Sequence, residues 1–318
     1  MCDDYLWDRS GTPDPEIVRL EQVLGPLAWR KGGNRGPAVH SRLGLVRSKA
    51  FWSAIAAVLV MGVAWEDAVG RAQASFWELS LQGQKPVRVL TGERIQVSAP
   101  GGAFMREKST GEVRIEVNSV LRLVSARKGQ QNIALERGVI HALIWAPPAQ
   151  FVVDTPSAKA VDLGCQYTLR VGQNGNGFLT VEVGWVAFQH GRTESFIPAG
   201  AACATDARRG PGIPYFADAP DALKSAVKRF DADGDFHAIE AALPLARTRD
   251  GLTLWHLLQR TRGSQRERVW ERFTELVGPA KDIREDAIVH GDEQAMSGAW
   301  NALERGDAGW WREWKRRW

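Results

Sequence analysis

The acidic run Asp231-Ala-Asp233-Gly-Asp235 has the alternating carboxylates of a calcium-binding loop. Such a loop needs a glycine at its sixth position and a bidentate Glu at its twelfth. Here the glycine stands at the fourth position and Ala242 occupies the twelfth. The run is therefore interpreted as an acidic turn between two helices, and no metal is expected there.

The other residue types that could support catalysis form no recognisable site in the sequence. The six histidines are scattered, and none has a second His or Cys at metal-ligand spacing. The sequence contains neither a G-x-S-x-G nucleophile motif nor a phosphate-binding P-loop. The glycines of Gly172-Gln-Asn-Gly175-Asn-Gly177 lie between two β patterns, which predicts a hairpin turn. The sequence thus predicts a protein that is not an enzyme, with no catalytic residues and no cofactor.

Cys165 and Cys203 fall in the same β-patterned region. Two alternatives stay open for this pair. The cysteines form a disulfide if their Cα atoms lie within about 7 Å of each other on an oxidising side of a membrane. Otherwise they are two buried free thiols, since cysteine is among the most buried residue types.

Length and composition indicate a multi-domain α+β protein of ordinary globular type. The chain has 318 residues, enough for two or three domains. Its hydrophobic fraction of 44% and charged fraction of 25% are typical of folded domains. A net charge of +4 is too mild to indicate nucleic-acid binding.

Residues 1–29 are predicted to form an acidic helical head. Asp14 can cap a helix whose first turn carries Pro15 and Glu16, which suits the missing proline donor and the helix dipole. The apolar residues that follow recur at helical spacing and give one apolar face. Two interpretations stay open, a solvated surface helix and a helix pair that binds a partner. The residues predicted to contact that partner are Tyr5, Trp7, Ile17, Leu20 and Leu24.

Residues 30–49 are predicted to be a flexible linker, because they contain six basic residues, no acidic ones and several glycines. The run AFWSAIAAVLVMGVAW follows without a charge and ends at Trp65. At about 1.5 Å per residue it spans roughly 24 Å, short of a hydrocarbon core of about 30 Å. Flanking tryptophans and the preceding basic residues favour a single transmembrane helix over residues 50–66 with a cytoplasmic N-terminus. The alternatives are a buried core helix and a signal peptide cleaved after Ala72-Gln73-Ala74.

Residues 76–205 are predicted to form an all-β module. Short runs of alternating apolar residues recur there, separated by Gly, Asn and Ser turns and without intervening helices. This pattern is typical of a sandwich, a barrel or a β-solenoid. Gly184 interrupts the alternation of its run and is expected to mark a bulge.

Several short motifs follow one another in this module: Asp154-Thr155-Pro156, Leu163-Gly164, Val181-x-Val183-x-x-Val186 and Ala199-Gly200. Their order resembles the FecR domain, over a region from about Trp77 to about Thr205. That family is found on the extracytoplasmic side of bacterial membrane regulators, many of which control an alternative sigma factor. The resemblance favours a short solenoid-like stack of strands. The family commonly has Thr after the Leu-Gly pair, where this chain has Cys165.

The C-terminal third is predicted to be helical. Residues 206–220 are interpreted as a Gly/Pro-rich connector, and residues 221–318 as an all-α domain with a Trp/Arg-rich tail. On a helix, the tail tryptophans would share one face, which fits either a membrane interface or docking on the helical domain. The predicted helices are 221–230, 236–247, 252–260, 269–277 and 292–303.

The resemblance implies a single-pass regulator of the bacterial inner membrane, with a cytoplasmic N-terminus and the bulk of the chain in the periplasm. It implies an ECF-type sigma factor as the partner of the head, which looks like the short heads of anti-sigma regulators, and an unknown extracytoplasmic partner or ligand for the outer domains. Sensors of this family that answer to outer-membrane transporters usually carry a small α/β region where this chain has helices. The alternative function is a structural or scaffolding envelope protein that binds wall polymer or other proteins through its outer domains.

Overall fold

The computed structural model describes residues 75–81, 84–278 and 283–303, which form sixteen strands followed by six helices. The first eight strands are β1 (Trp77–Leu81), β2 (Val87–Val89), β3 (Arg94–Gln96), β4 (Ala103–Glu107), β5 (Gly111–Ile115), β6 (Val120–Arg127), β7 (Gln130–Ile144) and β8 (Phe151–Asp154). The next eight are β9 (Lys159–Asp162), β10 (Gln166–Val171), β11 (Gly177–Val183), β12 (Trp185–His190), β13 (Thr193–Pro198), β14 (Ala201–Asp206), β15 (Gly210–Pro211) and β16 (Tyr215–Phe216). The helices are α1 (Asp221–Asp233), α2 (Phe236–Ala242), α3 (Gly251–Arg260), α4 (Ser264–Val277), α5 (Glu285–His290) and α6 (Glu293–Asn301).

The strands form two sheets that share β7. Sheet A has the order β3-β6-β7-β8-β9-β12-β13. Sheet B has the order β2-β1-β4-β5-β7-β10-β11-β14, and both β15 and β16 pair with β14. The first half of β7 pairs in sheet A and its second half in sheet B, so one 15-residue strand joins the two layers.

Gly138 is the residue at which β7 passes from one sheet to the other. Its φ of +107° lies in the region that favours glycine. A Cβ atom there would meet Ser119 Oγ at 2.2 Å. Ser119 Oγ in turn accepts a hydrogen bond from Val139 N at 3.0 Å and donates one to Val139 O at 3.2 Å. The strand therefore needs a residue without a side chain at its bend.

After β8 the chain crosses between the sheets three times, and these crossings meet at one corner. It passes from β9 to β10 through Gly164, from β11 to β12 through Gly184, and from β13 to β14 through Gly200. Gly184 has a φ of +74°, and a Cβ atom there would lie 2.0 Å from Gly164 O. The residue predicted as a bulge is thus a crossing point where two backbones touch.

One apolar core links both sheets and the helices. In β4, Ala103 and Met105 are buried while Phe104 and Arg106 are exposed, which is the alternation expected of a strand with one face on a core. Buried residues of both sheets belong to the same cluster as Leu254, Leu257 and other side chains of the helices. All the described residues belong to one compact unit, Val63–Trp318.

The large antiparallel β region and the C-terminal helical part confirm those two features of the predicted fold. In the described residues every strand pair except β7 with β8 is antiparallel, so the strands form shared sheets rather than the stacked parallel coils of a solenoid. The segment 206–220, predicted to be a connector, contributes β15 and β16 to sheet B.

The helices differ from the predicted ones mainly at their ends. The predicted helix 236–247 ends at Ala242 and continues as a 3₁₀ turn over Leu243–Leu245, because Pro244 has no N–H to donate. Helix α4 begins at Ser264, five residues before the predicted start, and α5 was not predicted. Among the described residues no helix is long and apolar enough to cross a membrane.

Replacing Gly138 by Ala should destabilise the protein more than replacing Gly92 by Ala. Gly92 has a similar φ of +90°, but no atom of the described residues lies within 4 Å of its added Cβ. Both substitutions therefore incur the backbone strain of about 1–2 kcal/mol, and only Gly138→Ala adds the clash with Ser119. Urea unfolding of the two variants measures the difference, and equal losses of stability would contradict this account of the bend.

Candidate functional site at the junction of the sheets and the helices

The predicted partner-binding residues of the head lie outside the described residues. These are Tyr5, Trp7, Ile17, Leu20 and Leu24, and the linker 30–49, the helix 50–66 and the tail beyond residue 303 lie outside them as well. The predicted contact between this head and a partner therefore stays a prediction. The structure instead describes the β region and the helices that follow it.

Cys165 and Cys203 are free and buried, the second of the two alternatives left open by the sequence. Cys203 stands opposite Leu179, which stands opposite Leu169, four residues beyond Cys165. At about 3.3 Å per residue the two cysteines are separated by roughly 13 Å along the strands, and by two strand spacings across them. That separation is beyond the reach of a disulfide.

The Cys165 thiol belongs to a buried polar corner at the Gly164 crossing. It donates a hydrogen bond to Asp162 Oδ2, while Gly164 N donates to Asp162 Oδ1 at 2.7 Å. Burial raises the pKa of Asp162 to about 7, although these donors oppose the shift. Tyr167 is fully buried in the same region, and its hydroxyl has no hydrogen-bond partner among the described residues. A donor at position 165 thus satisfies a carboxyl group that is almost completely buried.

Strand β13 is an edge of sheet A, and helix α3 covers it. His256 Nε2 accepts a hydrogen bond from Phe196 N at 3.0 Å, and His256 Nδ1 donates to Leu252 O at 2.9 Å. A backbone N–H only donates and a carbonyl only accepts, so these partners fix a neutral imidazole. Burial lowers the pKa of His256 to about 3. A neutral histidine therefore satisfies an N–H group of the edge strand that would otherwise lack a sheet partner.

An aromatic cluster packs beside this hydrogen bond and joins α3 and α6 to sheet A. The ring centroids of Trp255 and Trp300 lie 4.7 Å apart, and Phe196 lies 5.6 Å from Trp300. Trp185 of β12 also contacts Trp300, at 5.9 Å, and Trp255 Nε1 donates to Met296 O at 2.8 Å. Tilted and edge-on aromatic pairs of this kind add stabilisation beyond the burial of their area.

Arg260 extends the junction at the end of α3. Its Nη2 donates to Ser195 Oγ at 3.0 Å and to Glu194 O at 3.3 Å, and Ser195 Oγ donates to Gly212 O at 2.6 Å. These bonds connect α3, β13 and the segment between β15 and β16. Burial lowers the pKa of the Arg260 guanidinium, whose half-buried charge faces a cleft.

The cleft lies between the β14–β15 turn, helix α1 and the end of α3, and its volume is about 420 Å³. Asp231 of α1 fastens one wall, because its carboxylate accepts from Ile213 N at 3.0 and 3.2 Å. A Cβ atom on Gly212 would lie 2.2 Å from Asp231 Oδ2. Residue 212 must therefore be a glycine for helix α1 to approach the chain this closely. Burial raises the pKa of Asp231 to about 6. This cleft is the candidate functional site.

The acidic run of the sequence is divided among three separate roles. Asp231 bonds Ile213, Asp233 accepts from Asp235 N, and Asp235 caps α2 by accepting from Ala238 N. Asp235 also pairs with Arg229. Within the described ranges no group of acidic, His or Cys side chains could hold a metal ion. Asp231 and Asp233 belong to the last turn of α1, so only Gly234 and Asp235 form the predicted turn between the two helices.

Sequence reasoning did not identify the cleft. Its basic residues Arg208 and Arg209 belong to the run DARRGPG, which composition assigns to a connector. The short strands β15 and β16 carry almost no alternation, so nothing in the sequence indicates that this run folds back onto β14. The one feature of the sequence that could have indicated this cleft is the pair of arginines flanked by turn residues.

No protein-family model matches the chain, and no curated protein matches it. Among solved structures, the chain is similar to two crystal structures of a candidate anti-sigma factor from Parabacteroides distasonis ATCC 8503. The sequence identities are 18% and 17%, and the TM-scores are 0.31 and 0.30. The matches cover 45% and 43% of this chain and 64% and 63% of the other chains, so this chain spans less than two thirds of their length.

Replacing Cys165 by Thr should preserve stability, whereas replacing it by Val should reduce it by about 1–3 kcal/mol. Thr and Val side chains have nearly the same shape, but only the Thr hydroxyl can donate to Asp162. Urea unfolding of the full chain at pH 8, where Asp162 is mostly ionised, measures the difference. If the two variants unfold at the same urea concentration, Asp162 does not depend on a donor at this position.

The neutral state of His256 predicts a pH dependence of stability with a definite sign. Below pH 6.5 the unfolded chain binds a proton at this histidine and the folded chain does not, so stability falls as the pH falls towards 3. Between these two pH values His256 alone lowers the free energy of unfolding by about 1.4 kcal/mol per pH unit. A Gln at position 256 can keep both hydrogen bonds without titrating.

Urea unfolding of the wild type and of His256→Gln between pH 4 and pH 7 therefore tests this state. The wild type should lose stability more steeply on acidification. Asp162 and Asp231 act with the opposite sign, because their pKa values are raised, and they act equally in both proteins. If the free energy of unfolding falls equally with pH in the two proteins, His256 is not held neutral.

Proposed function

We propose that the chain is a membrane-anchored, FecR-type regulator that relays an extracytoplasmic signal to a cytoplasmic sigma factor. In this proposal residues 1–29 hold a sigma factor of the ECF type, and residues 50–66 cross the inner membrane. The β sheets and the helices lie in the periplasm, where they receive a ligand or a partner. The protein acts by binding and not by catalysis.

The observation that carries the proposal is the structural role of the residues behind the FecR resemblance. Thr155 closes the β8–β9 turn, since its Oγ1 accepts from Ala158 N at 2.9 Å and donates to Ala158 O at 2.7 Å. Gly164 and Gly200 lie at sheet crossings with positive φ. These motif residues thus lie where the fold needs a turn or a sheet crossing, which supports a FecR-like interpretation of the β region over a chance match of short motifs.

A relay also needs an outer part whose state a ligand can change. A ligand shifts an equilibrium only through different affinities for two states. Helix α1 is an element of this kind. It is joined to the segment between β15 and β16 by the hydrogen bond from Ile213 N to Asp231, and the open cleft lies beside this bond. A molecule bound in this cleft would contact both parts at once.

A second candidate function, a scaffold in the cell envelope, is favoured by the outer face of sheet B. Leu143 and Val183 are exposed there, at 46% and 58%, and both neighbour Gln166 in the ladder. Phe104 of β4 is also exposed, at 51%. Exposed apolar residues gathered on one sheet face are typical of a surface that binds another molecule.

Capture experiments with the full-length chain distinguish the two functions. In neutral detergent, the protein should recover one sigma factor from a lysate of its source organism. Changing Leu20 and Leu24 to Asp should abolish the recovery, because two charges would replace the apolar face of the predicted helix.

The matched control introduces the same charges outside the head, as Leu43→Asp with Leu45→Asp in the linker. This control should bind the sigma factor like the wild type. Failure of the wild type to recover any sigma factor, with the protein stable and soluble, would contradict the regulator and favour the scaffold.

A further inference from the structure

The cleft at the junction is lined by more basic than acidic side chains, so it carries an excess of positive charge. Four basic side chains and two acidic ones line it. Both acidic side chains already accept hydrogen bonds from backbone N–H groups. Asp231 accepts from Ile213 N, and Asp206 accepts from Arg208 N at 2.9 Å and Arg209 N at 3.1 Å.

The basic side chains, in contrast, keep free donors. Arg208 and Lys228 form no side-chain hydrogen bond or ion pair among the described residues, and both side chains line the cleft. Arg260 uses only Nη2 for its two hydrogen bonds, which leaves Nε and Nη1 without partners in the described part of the chain. Arg209 gives one bond, from Nη1 to the carbonyl of Asp231 at 2.6 Å.

The geometry of these donors suits a small anion. Guanidinium groups bind carboxylate and phosphate through paired N–H groups, and Arg260 presents a half-buried charge whose interactions are screened less than those of a fully exposed one. Tyr215 and Phe230 give the cleft an apolar side. A volume of about 420 Å³ falls in the range of small-molecule sites.

We propose that this cleft binds a small, freely diffusing organic or inorganic anion with at least two carboxylate or phosphate groups. One oxyanion group lies against Arg260 and Arg209 at the inner end of the cleft. The other lies between Arg208 of the β14–β15 turn and Lys228 of α1, so the ligand bridges a sheet edge and a helix. The inference concerns only the described residues and does not depend on sigma-factor binding.

Isothermal titration calorimetry of the full-length chain in neutral detergent tests the site with two probes, citrate and inorganic pyrophosphate. At least one of them should bind with one-to-one stoichiometry at low salt, and its affinity should fall as salt is added. Which of the two binds more tightly decides between carboxylate and phosphate recognition. Trimethyl citrate keeps the carbon skeleton of citrate without its charges and should not bind.

Arg208→Gln with Lys228→Gln should raise the dissociation constant at least about 10-fold, because two charge-assisted contacts are lost. Arg208→Gln alone should have a smaller effect in the same direction. Neither side chain bonds another residue in the described part of the chain, so folding should be unaffected. Lys128→Gln, on the exposed β6–β7 turn, is the matched control and should leave binding unchanged.

The inference is overturned if neither probe binds saturably, or if the double variant binds as the wild type does. It is also overturned if Lys128→Gln weakens binding as much as the double variant does, since the effect would then reflect net charge alone. Retained binding of a sigma factor by the double variant would separate this site from the function of the head.

Discussion

The open edge of sheet A is the constraint on which the rest of this structure depends. An edge strand leaves N–H and C=O groups without partners, and a long free edge invites pairing with other chains. Here β13 is covered by helix α3 in place of another strand. His256 accepts the Phe196 N–H, and Arg260 donates to the Glu194 carbonyl. The helical part of the chain is therefore a cover for the sheet edge, and it shares one apolar core with the sheets.

This cover explains why a histidine is buried where its charge would be costly. The imidazole must present an acceptor to the sheet and a donor to its own helix, which only the neutral ring does. The aromatic cluster around Trp255 and Trp300 keeps water away from that bond. The cleft with its excess of basic side chains lies where the helices meet the β14–β15 turn of sheet B. An anion bound in this cleft would contact the sheet edge and helix α1 at once.

The sequence predicted the elements with strong local signals and missed those set by distant contacts. Alternating apolar residues and Gly/Asn turns located the β region, and a change of period located the helices. Periodicity could not show that β7 is shared by two sheets, because that depends on Gly138 bending the strand against Ser119. The same holds for β15 and β16, which are strands only because β14 lies beside them. Cys165 was recognised as a departure from a motif, but its role depends on Asp162, whose burial no local pattern reveals.

Native-state hydrogen exchange at the Phe196 amide tests the edge-cover account most directly. This N–H donates to His256 Nε2, whereas the Leu169 N–H lies in the centre of sheet B. If the helical part is an integral cover, the Phe196 amide exchanges with a free energy close to that of Leu169, because both open only with the whole unit. Rapid exchange at Phe196 while Leu169 stays protected would contradict the account and show that the helices leave the sheet edge independently.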